Sequence, residues 1–294
     1  MNNNLMTRIE ASRSRLSKGQ LRIAGYISEH YDKAAFMTAH RLGEMVNVSE
    51  STVVRFATEL GYSGYPHMQR ELREIVHTRL TSLQRIELAW ERMQGQNILS
   101  GVMENDIDKI RGAMEAVDAA VFDRAVDMIL AAKNIYILGL RTSSFLAGFL
   151  GFYFRLLFNN VTVVGGSPGD GDIFENLFRV GGEDVVIGIS FPRYSKRTLR
   201  GMRLAKDRGA GLIAITDCAG APISGIGECT LYAPCEMASF VDSLVAPLSL
   251  INALVVSIGM KKRGELSETF AVLEDIWDEY ETYEKFETDG TERR

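Results

Sequence analysis

Two short stretches carry side chains suited to holding an anion. The first, Ile189 to Arg200 (ISFPRYSKRTLR), sets Ser190, Ser195 and Thr198 among Arg193, Lys196, Arg197 and Arg200, directly after an apolar run. The second, Gly139 to Ser144 (GLRTSS), offers Arg141, Thr142, Ser143 and Ser144 after another apolar run. Hydroxyls donate to phosphoryl oxygens, and Arg adds a planar fork. Each stretch runs into a helical pattern, and a helix N-terminus favours an anion through its free N–H groups and its dipole. A small phosphorylated metabolite is the ligand class these residues suit, with Arg141, Ser143, Ser144, Ser190, Arg193, Ser195, Lys196 and Thr198 as candidate contacts. Against this, Ser143, Ser195 and Thr198 are also ordinary helix-capping residues. Arg197 and Arg200 read better as part of a solvated helix stripe.

The elements around these stretches alternate. Apolar, β-branched runs at residues 134–138, 161–164, 184–189, 211–216 and 229–233 are separated by helical patterns, and a long helical segment, 241–260, closes the set. That order predicts a five-stranded parallel sheet covered by helices on both faces, a three-layer α/β body. In such sheets ligands sit beyond the carboxyl ends of the strands, near the switch in strand order. Both hydroxyl-rich stretches occupy such ends. The glycine-rich loop from Gly165 to Asp172 reads as a turn, with Asp172 and Glu175 forming a capping box for the helix that follows.

The first part of the chain is different. Ser17 and Gln20 make a capping box, Thr38 can cap a short helix carrying Leu42 and Val46, and Ser49 can cap a third helix ending at Gly61. The last two are joined by a short turn at Asn47-Val48, the helix-turn-helix layout. Val53, Phe56, Ala57 and Leu60 share one face of the third helix, so they form its buried stripe. Ser51, Arg55 and Thr58 face away, flanked by Thr52. An outward Arg can pair with guanine, and hydroxyls reach bases or phosphates in a major groove. Ser49, Ser51, Thr52, Arg55 and Thr58 are therefore the candidate DNA contacts.

Charge separates the parts. Residues 1–80 hold 11 Lys and Arg against 8 Asp and Glu, residues 81–263 hold 19 of each, and residues 264–294 hold 3 against 11. The expected division is a helix-turn-helix head over 1–77, a helical linker over 78–120, an α/β body over 121–263 and an acidic helix or tail over 264–294. Gly95-Gln96-Asn97 and Ser100-Gly101 mark the hinge, and Asp118 can cap a further helix. The N-terminus shows no apolar signal region. The longest apolar stretch, near 244–258, is broken by polar residues and too short to span a bilayer. The three cysteines lack metal-ligand spacing. A cytoplasmic protein with reduced thiols, no metal, no cofactor and no membrane partner is the expectation.

Two segments resemble a known family. Residues 42–65 (LGEMVNVSESTVVRFATELGYSGY) resemble the DNA-binding domain of the RpiR, or MurR/RpiR, family of bacterial transcriptional regulators, through Leu-Gly, Val-Ser, Ser-Thr-Val-Val-Arg-Phe, Leu-Gly-Tyr and Gly-Tyr. Residues 134–260 resemble the sugar isomerase (SIS) domain that follows it in that family. The family's Gly-x-Gly-x-Ser loop falls on Gly139 to Ser143, and its Ser-x-Ser-Gly-x-Thr loop on Ser190 to Ser195. The resemblance implies that Ser143, Ser190 and Ser195 contact a phosphosugar. Arg141, Pro192 and Arg193 depart from the family's Gly, Ser and Gly.

The resulting expectation is a transcriptional regulator of carbohydrate metabolism, not an enzyme. It would bind a double-stranded, roughly palindromic operator as a homodimer or homotetramer and respond to a phosphorylated sugar. Two rivals stand beside it. A sugar-phosphate isomerase needs a positioned base, yet all four histidines precede residue 78, leaving Glu236 and Asp242 as the nearest candidates. Alternatively, the body only dimerises the heads, with the late helix 241–260 as a candidate interface or simply buried core.

Overall fold

The computed structural model describes residues 5–79, 83–84, 86–87, 90, 95, 97–165, 172–235 and 241–284. The first helices are α1 (Leu5–Ser12), α2 (Lys18–Glu29), α3 (Tyr31–Ala34), α4 (Ala39–Val46), α5 (Glu50–Glu59) and α6 (Tyr65–Arg79). Their apolar faces close on one another. Leu5, Ile23, Ile27, Leu42, Val53, Phe56, Ala57, Met68 and Leu72 are buried in a single cluster. The stripe Val53, Phe56, Ala57 and Leu60 does lie inward.

Local sequence sets the entries and exits of these helices. Ser17 and Gln20 form the reciprocal capping box on α2, and Thr38 accepts from the Arg41 N–H on α4. Ser49 stands at the N-cap position of α5, but its side chain makes no bond to the helix backbone. Its hydroxyl instead meets those of Ser51, at 2.9 Å, and Thr52, at 2.8 Å. The turn between α4 and α5 is tight. Asn47 takes the left-handed conformation (φ 57°, ψ 51°), which Asn tolerates, and the Val48 N–H reaches back to the Gly43 carbonyl at 2.9 Å. A Cβ at Gly43 would lie 2.8 Å from the Val48 carbonyl oxygen, so only glycine lets α4 approach the turn this closely. Helix α6 then ties the head together. Tyr65 and Gln69 both donate to the Met37 carbonyl, and Tyr62 donates to Glu71.

After residue 97 come α7 (Ile98–Ala116) and α8 (Ala119–Ala131), the latter capped by Asp118. The body follows as β1 (Ile135–Gly139), α9 (Thr142–Leu157), β2 (Val161–Val164), α10 (Ile173–Asn176), β3 (Val185–Ile189), α11 (Lys196–Asp207), β4 (Gly211–Thr216), β5 (Cys229–Tyr232), α12 (Val245–Lys261) and α13 (Arg263–Glu279). The five strands form one parallel sheet in the order β2-β1-β3-β4-β5. Alternation along the strands divides the core. Ile135, Ile137, Val185, Ile187 and Ile189 face a layer built from α8, α9 and α12. Leu138, Val186, Leu212 and Ala214 face α10 and α11. The first strand runs to Gly139 rather than stopping at Leu138, and the last stops at Tyr232 rather than Ala233.

The late helix starts at Val245, later than the sequence pattern indicates, and residues 236–240 lie outside the described residues. Leu250, Ile251, Leu254 and Ile258 are buried on it, while Val256 and Met260 are exposed. No single helix among the described residues is long and apolar enough to cross a membrane; α12 and α13 pass that test only together and are bent by 98°. Helix α13 buries no residue.

Gly43→Ala is expected to destabilise the head by about 1–3 kcal/mol, because the intruding methyl meets backbone and not a movable side chain. Urea unfolding of the full chain, followed by tyrosine fluorescence, measures this; an unchanged midpoint would contradict the close approach.

Candidate functional site

Strands β1 and β3 are neighbours, yet the chain leaves them for opposite sides. From β1 it crosses by α9 to β2 at one edge, and from β3 by α11 to β4 toward the other. The loops at their carboxyl ends diverge, and a crevice opens between them. A cavity of about 290 Å³ occupies it, bounded by Leu140 to Ser143, Ser190 to Arg193, Ser195, Asp242 and Ile86. The size is at the small end for a metabolite site.

The first loop is held by close backbone packing. A Cβ on Gly139 would meet the Ser143 carbonyl oxygen at 2.5 Å and the Ala147 Cβ at 2.9 Å, so glycine is required for the chain to fold back over the strand end. Arg141 then adopts φ 57°, ψ −127°, and no side chain caps the first turn of α9. The Ser144 hydroxyl donates to the Arg141 carbonyl at 2.5 Å and latches this turn. Ser143 is buried, with its hydroxyl on the cavity.

The second loop is fixed from the neighbouring strand. The Ser190 N–H bonds to the Ile215 carbonyl, and Thr216 donates its hydroxyl to the Ser190 carbonyl at 2.7 Å. Tyr194 donates to the Asp217 carboxylate, with oxygens at 2.9 and 3.1 Å. Burial first, and the Asp217 charge second, hold the Tyr194 phenol far above its usual range, so it stays a donor. A phenol raised on folding contributes stability that is complete below its ordinary pKa of about 10 and fades only at higher pH. Ser195 faces the cavity and also caps α11 by accepting from the Thr198 N–H at 3.2 Å.

The structure thus brings Arg141, Ser143, Ser190, Arg193 and Ser195 to one cavity. It does not bring Ser144, Lys196 or Thr198 to its wall. Ser144 sits one helical step, about 100°, beyond Ser143 and serves the turn instead. Lys196 is exposed on α11. Thr198 is fully buried under that helix, where its hydroxyl makes no hydrogen bond among the described residues. Arg197 pairs with Asp172 at 2.6 Å, and Asp172 forms the capping box with Glu175. The remainder of that glycine-rich loop, residues 166–171, lies outside the described residues, as does Glu236. Sequence reasoning offered Thr142 with the first loop but not among the contacts, did not place Phe191 or Ile86 at the cavity, noted Pro192 only as a departure from the family pattern, and named Asp242 only as a possible base.

Two features of the hydroxyls stand out. Ser143 is 5% exposed and Ser190 2%, and neither hydroxyl makes a hydrogen bond to another described residue. Both residues line the cavity, which leaves their hydroxyls open to water or to a ligand.

On the head, Ser49, Ser51, Arg55 and Thr58 are exposed and Thr52 half-buried. The Arg55 Nε donates to the Ser51 carbonyl at 3.3 Å and Thr58 to the Val54 carbonyl at 3.1 Å, which lays these side chains along the outer face of α5. His40 lies against Glu44 and Glu50 at the edge of this face.

The chain matches the model for the helix-turn-helix domain of the rpiR family over residues 3–78, and the SIS domain over residues 128–257. It is 24% identical over 274 residues to the HTH-type transcriptional regulator HexR of Escherichia coli, covering 90% of this chain and 91% of that one. It is 23% identical over 268 residues to HexR of Pseudomonas aeruginosa, covering 88% and 90%. Among solved structures, the NanR protein of Vibrio vulnificus complexed with ManNAc-6P superposes with a TM-score of 0.57 at 20% identity, covering 94% of this chain and 99% of that one.

Tyr194→Phe leaves the Asp217 carboxylate without its strongest donor and is expected to cost about 1.5–3 kcal/mol. Thermal unfolding reads the loss; an unchanged Tm would show that the second loop is held by other contacts.

Proposed function

Since the chain belongs to the RpiR family, with a helix-turn-helix domain ahead of a SIS domain, we propose that its body binds a phosphorylated sugar and that this changes how its head holds an operator. The observation that carries the reading is the pair of hydroxyls of Ser143 and Ser190, two largely buried residues, which turn onto the switch-point cavity without bonding another described residue. Ser195 adds a third hydroxyl, and the uncapped N-terminus of α9 adds free N–H groups, the donor set a phosphoryl group takes up. Asp242, also on the wall, is an acceptor for sugar hydroxyls. In support by likeness, the NanR structure holds ManNAc-6P.

The proposed division is a head over 1–77, a linker over 78–120, the sensing body over 121–263 and an acidic C-terminal segment over 264–294, working in the cytoplasm. Coupling between body and head requires that the ligand favour one arrangement of the heads over another. Ile86, from the linker segment, lies on the cavity wall and gives such a ligand something to move. The second copy is proposed to dock on the apolar side of α7. Leu99, Met103, Ile107 and Met114 are exposed there at helical spacing, next to a groove of Ile110, Phe122, Ala246, Leu250 and Ala253. A two-fold dimer matches a palindromic operator.

An isomerase is the second reading, because Asp242 stands at the cavity. Proton transfer between adjacent carbons calls for a base tuned toward neutrality, and the body after residue 78 contains no histidine.

Fluorescence anisotropy with operator DNA tests the proposal. At least one phosphosugar should shift the affinity, and Arg55→Ala should weaken specific binding about tenfold or more, since one good base contact is worth ~1–3 kcal/mol. Unchanged operator affinity in that variant would remove Arg55 from the reading set. Incubation with aldose and ketose phosphates should give no interconversion; turnover abolished by Asp242→Asn would favour the isomerase.

A further inference from the structure

Helix α5 carries two adjacent valines, and the fold buries one and leaves the other out. Val53 is fully buried in the core of the head, whereas Val54 is 39% exposed. One helical step of about 100° carries Val54 to the outer face, beside Ser51, Arg55 and Thr58, which are exposed there. Helix formation does not ask for valine at such a position. A β-branched side chain is a weaker helix former than Lys, Glu or Gln, because it is stiff at χ1. What Val54 contributes is a pair of methyl groups held in one orientation on a face of otherwise polar residues.

Those polar neighbours are partly engaged by the helix itself. Thr58 donates its hydroxyl to the Val54 carbonyl at 3.1 Å, so its methyl is the group left to meet a ligand. Val54 and Thr58, four residues apart, then form a short apolar strip along the helix. The Ser51 hydroxyl pairs with that of Ser49 at 2.9 Å. The Arg55 Nε donates to the Ser51 carbonyl at 3.3 Å, and the two terminal nitrogens bond no other described residue. The outer face thus offers one forked donor and, next to it, an apolar strip. Among the base edges of the major groove, thymine alone carries a methyl group. We infer that the operator half-site places a thymine methyl against the Val54–Thr58 strip, beside the base that Arg55 meets, so that Val54 is a specificity-determining residue that reads a methyl group and no hydrogen bond. This rests on the DNA-reading function of the head and adds the base that this part of α5 selects.

A uracil scan tests it. The full chain first selects its own operator from a duplex pool carrying about 20 random base pairs, enough for two half-sites one helical turn apart. Each thymine of the selected half-site is then replaced by deoxyuridine, which removes the C5-methyl and keeps every hydrogen-bonding group. Fluorescence anisotropy measures each affinity. At one position the replacement should weaken wild-type binding about fourfold, the value of one methyl group taken out of water. In the double variant Val54→Ala and Thr58→Ser, which removes the strip at two exposed positions, the same pair of duplexes should bind with affinities equal within the error of the titration. A selected half-site without thymine, a wild type indifferent to every replacement, or a variant that keeps the full penalty overturns the inference and leaves DNA binding by the head standing. A pool from which no duplex is enriched overturns the operator reading and this inference with it.

Discussion

The molecule is organised by the change of direction between two adjacent parallel strands. From β1 the chain crosses outward to β2, and from β3 it crosses to β4 on the other side. The two loops that leave the seam between these strands must diverge, and both feed helix N-termini. Hydrophobic burial decides this arrangement, not the ligand: each strand places alternate residues under α8, α9 and α12 or under α10 and α11. A polar hollow is therefore held open by an apolar frame. The hydroxyls of Ser143 and Ser190 bond no other described residue, and in the proposed function a bound anion completes them.

Rigidity of the two loops follows from different devices. The first is pressed against its own helix, with Gly139 permitting the contact and Ser144 closing it. The second is tied laterally to β4 through Thr216 and Tyr194. One loop is fixed by local chain geometry and the other by a neighbour whose position depends on the whole sheet. In the proposed function, a ligand spanning both loops would therefore bridge two parts of the body that are fixed by different contacts.

Much of this was legible in the sequence. Five apolar β-branched runs separated by helical patterns gave the sheet its strand number, and the capping residues Ser17, Thr38, Asp118 and Ser195 all act as caps. Helix α5 was legible because Val53, Phe56, Ala57 and Leu60 repeat at helical spacing. The cavity was legible to the level of its two loops and no further. At a helix start, hydroxyls have the same composition whether they face a ligand or latch a turn, and one residue's rotation separates Ser143 from Ser144. Thr198 and Lys196 were misplaced for the same reason. Tyr194 and Asp217 pair across strands whose adjacency is a tertiary outcome. The strained backbones of Arg141 and Arg193 are not marked by arginine itself; their signal lay in the glycine that the resembled family's loops carry at both positions.

The central claim is that the Ser143 and Ser190 hydroxyls are satisfied by the phosphoryl group of a sugar. Thermal unfolding across a panel of phosphosugars and their unphosphorylated parents measures it most directly, comparing the wild type with the double variant Ser143→Ala and Ser190→Ala. A ligand that binds only the folded form raises its stability. The account predicts that at least one phosphosugar raises the Tm of the wild type, that its parent sugar does not, and that the shift largely disappears in the variant. A shift that survives intact in the variant, or one given equally by the parent sugar, would contradict it.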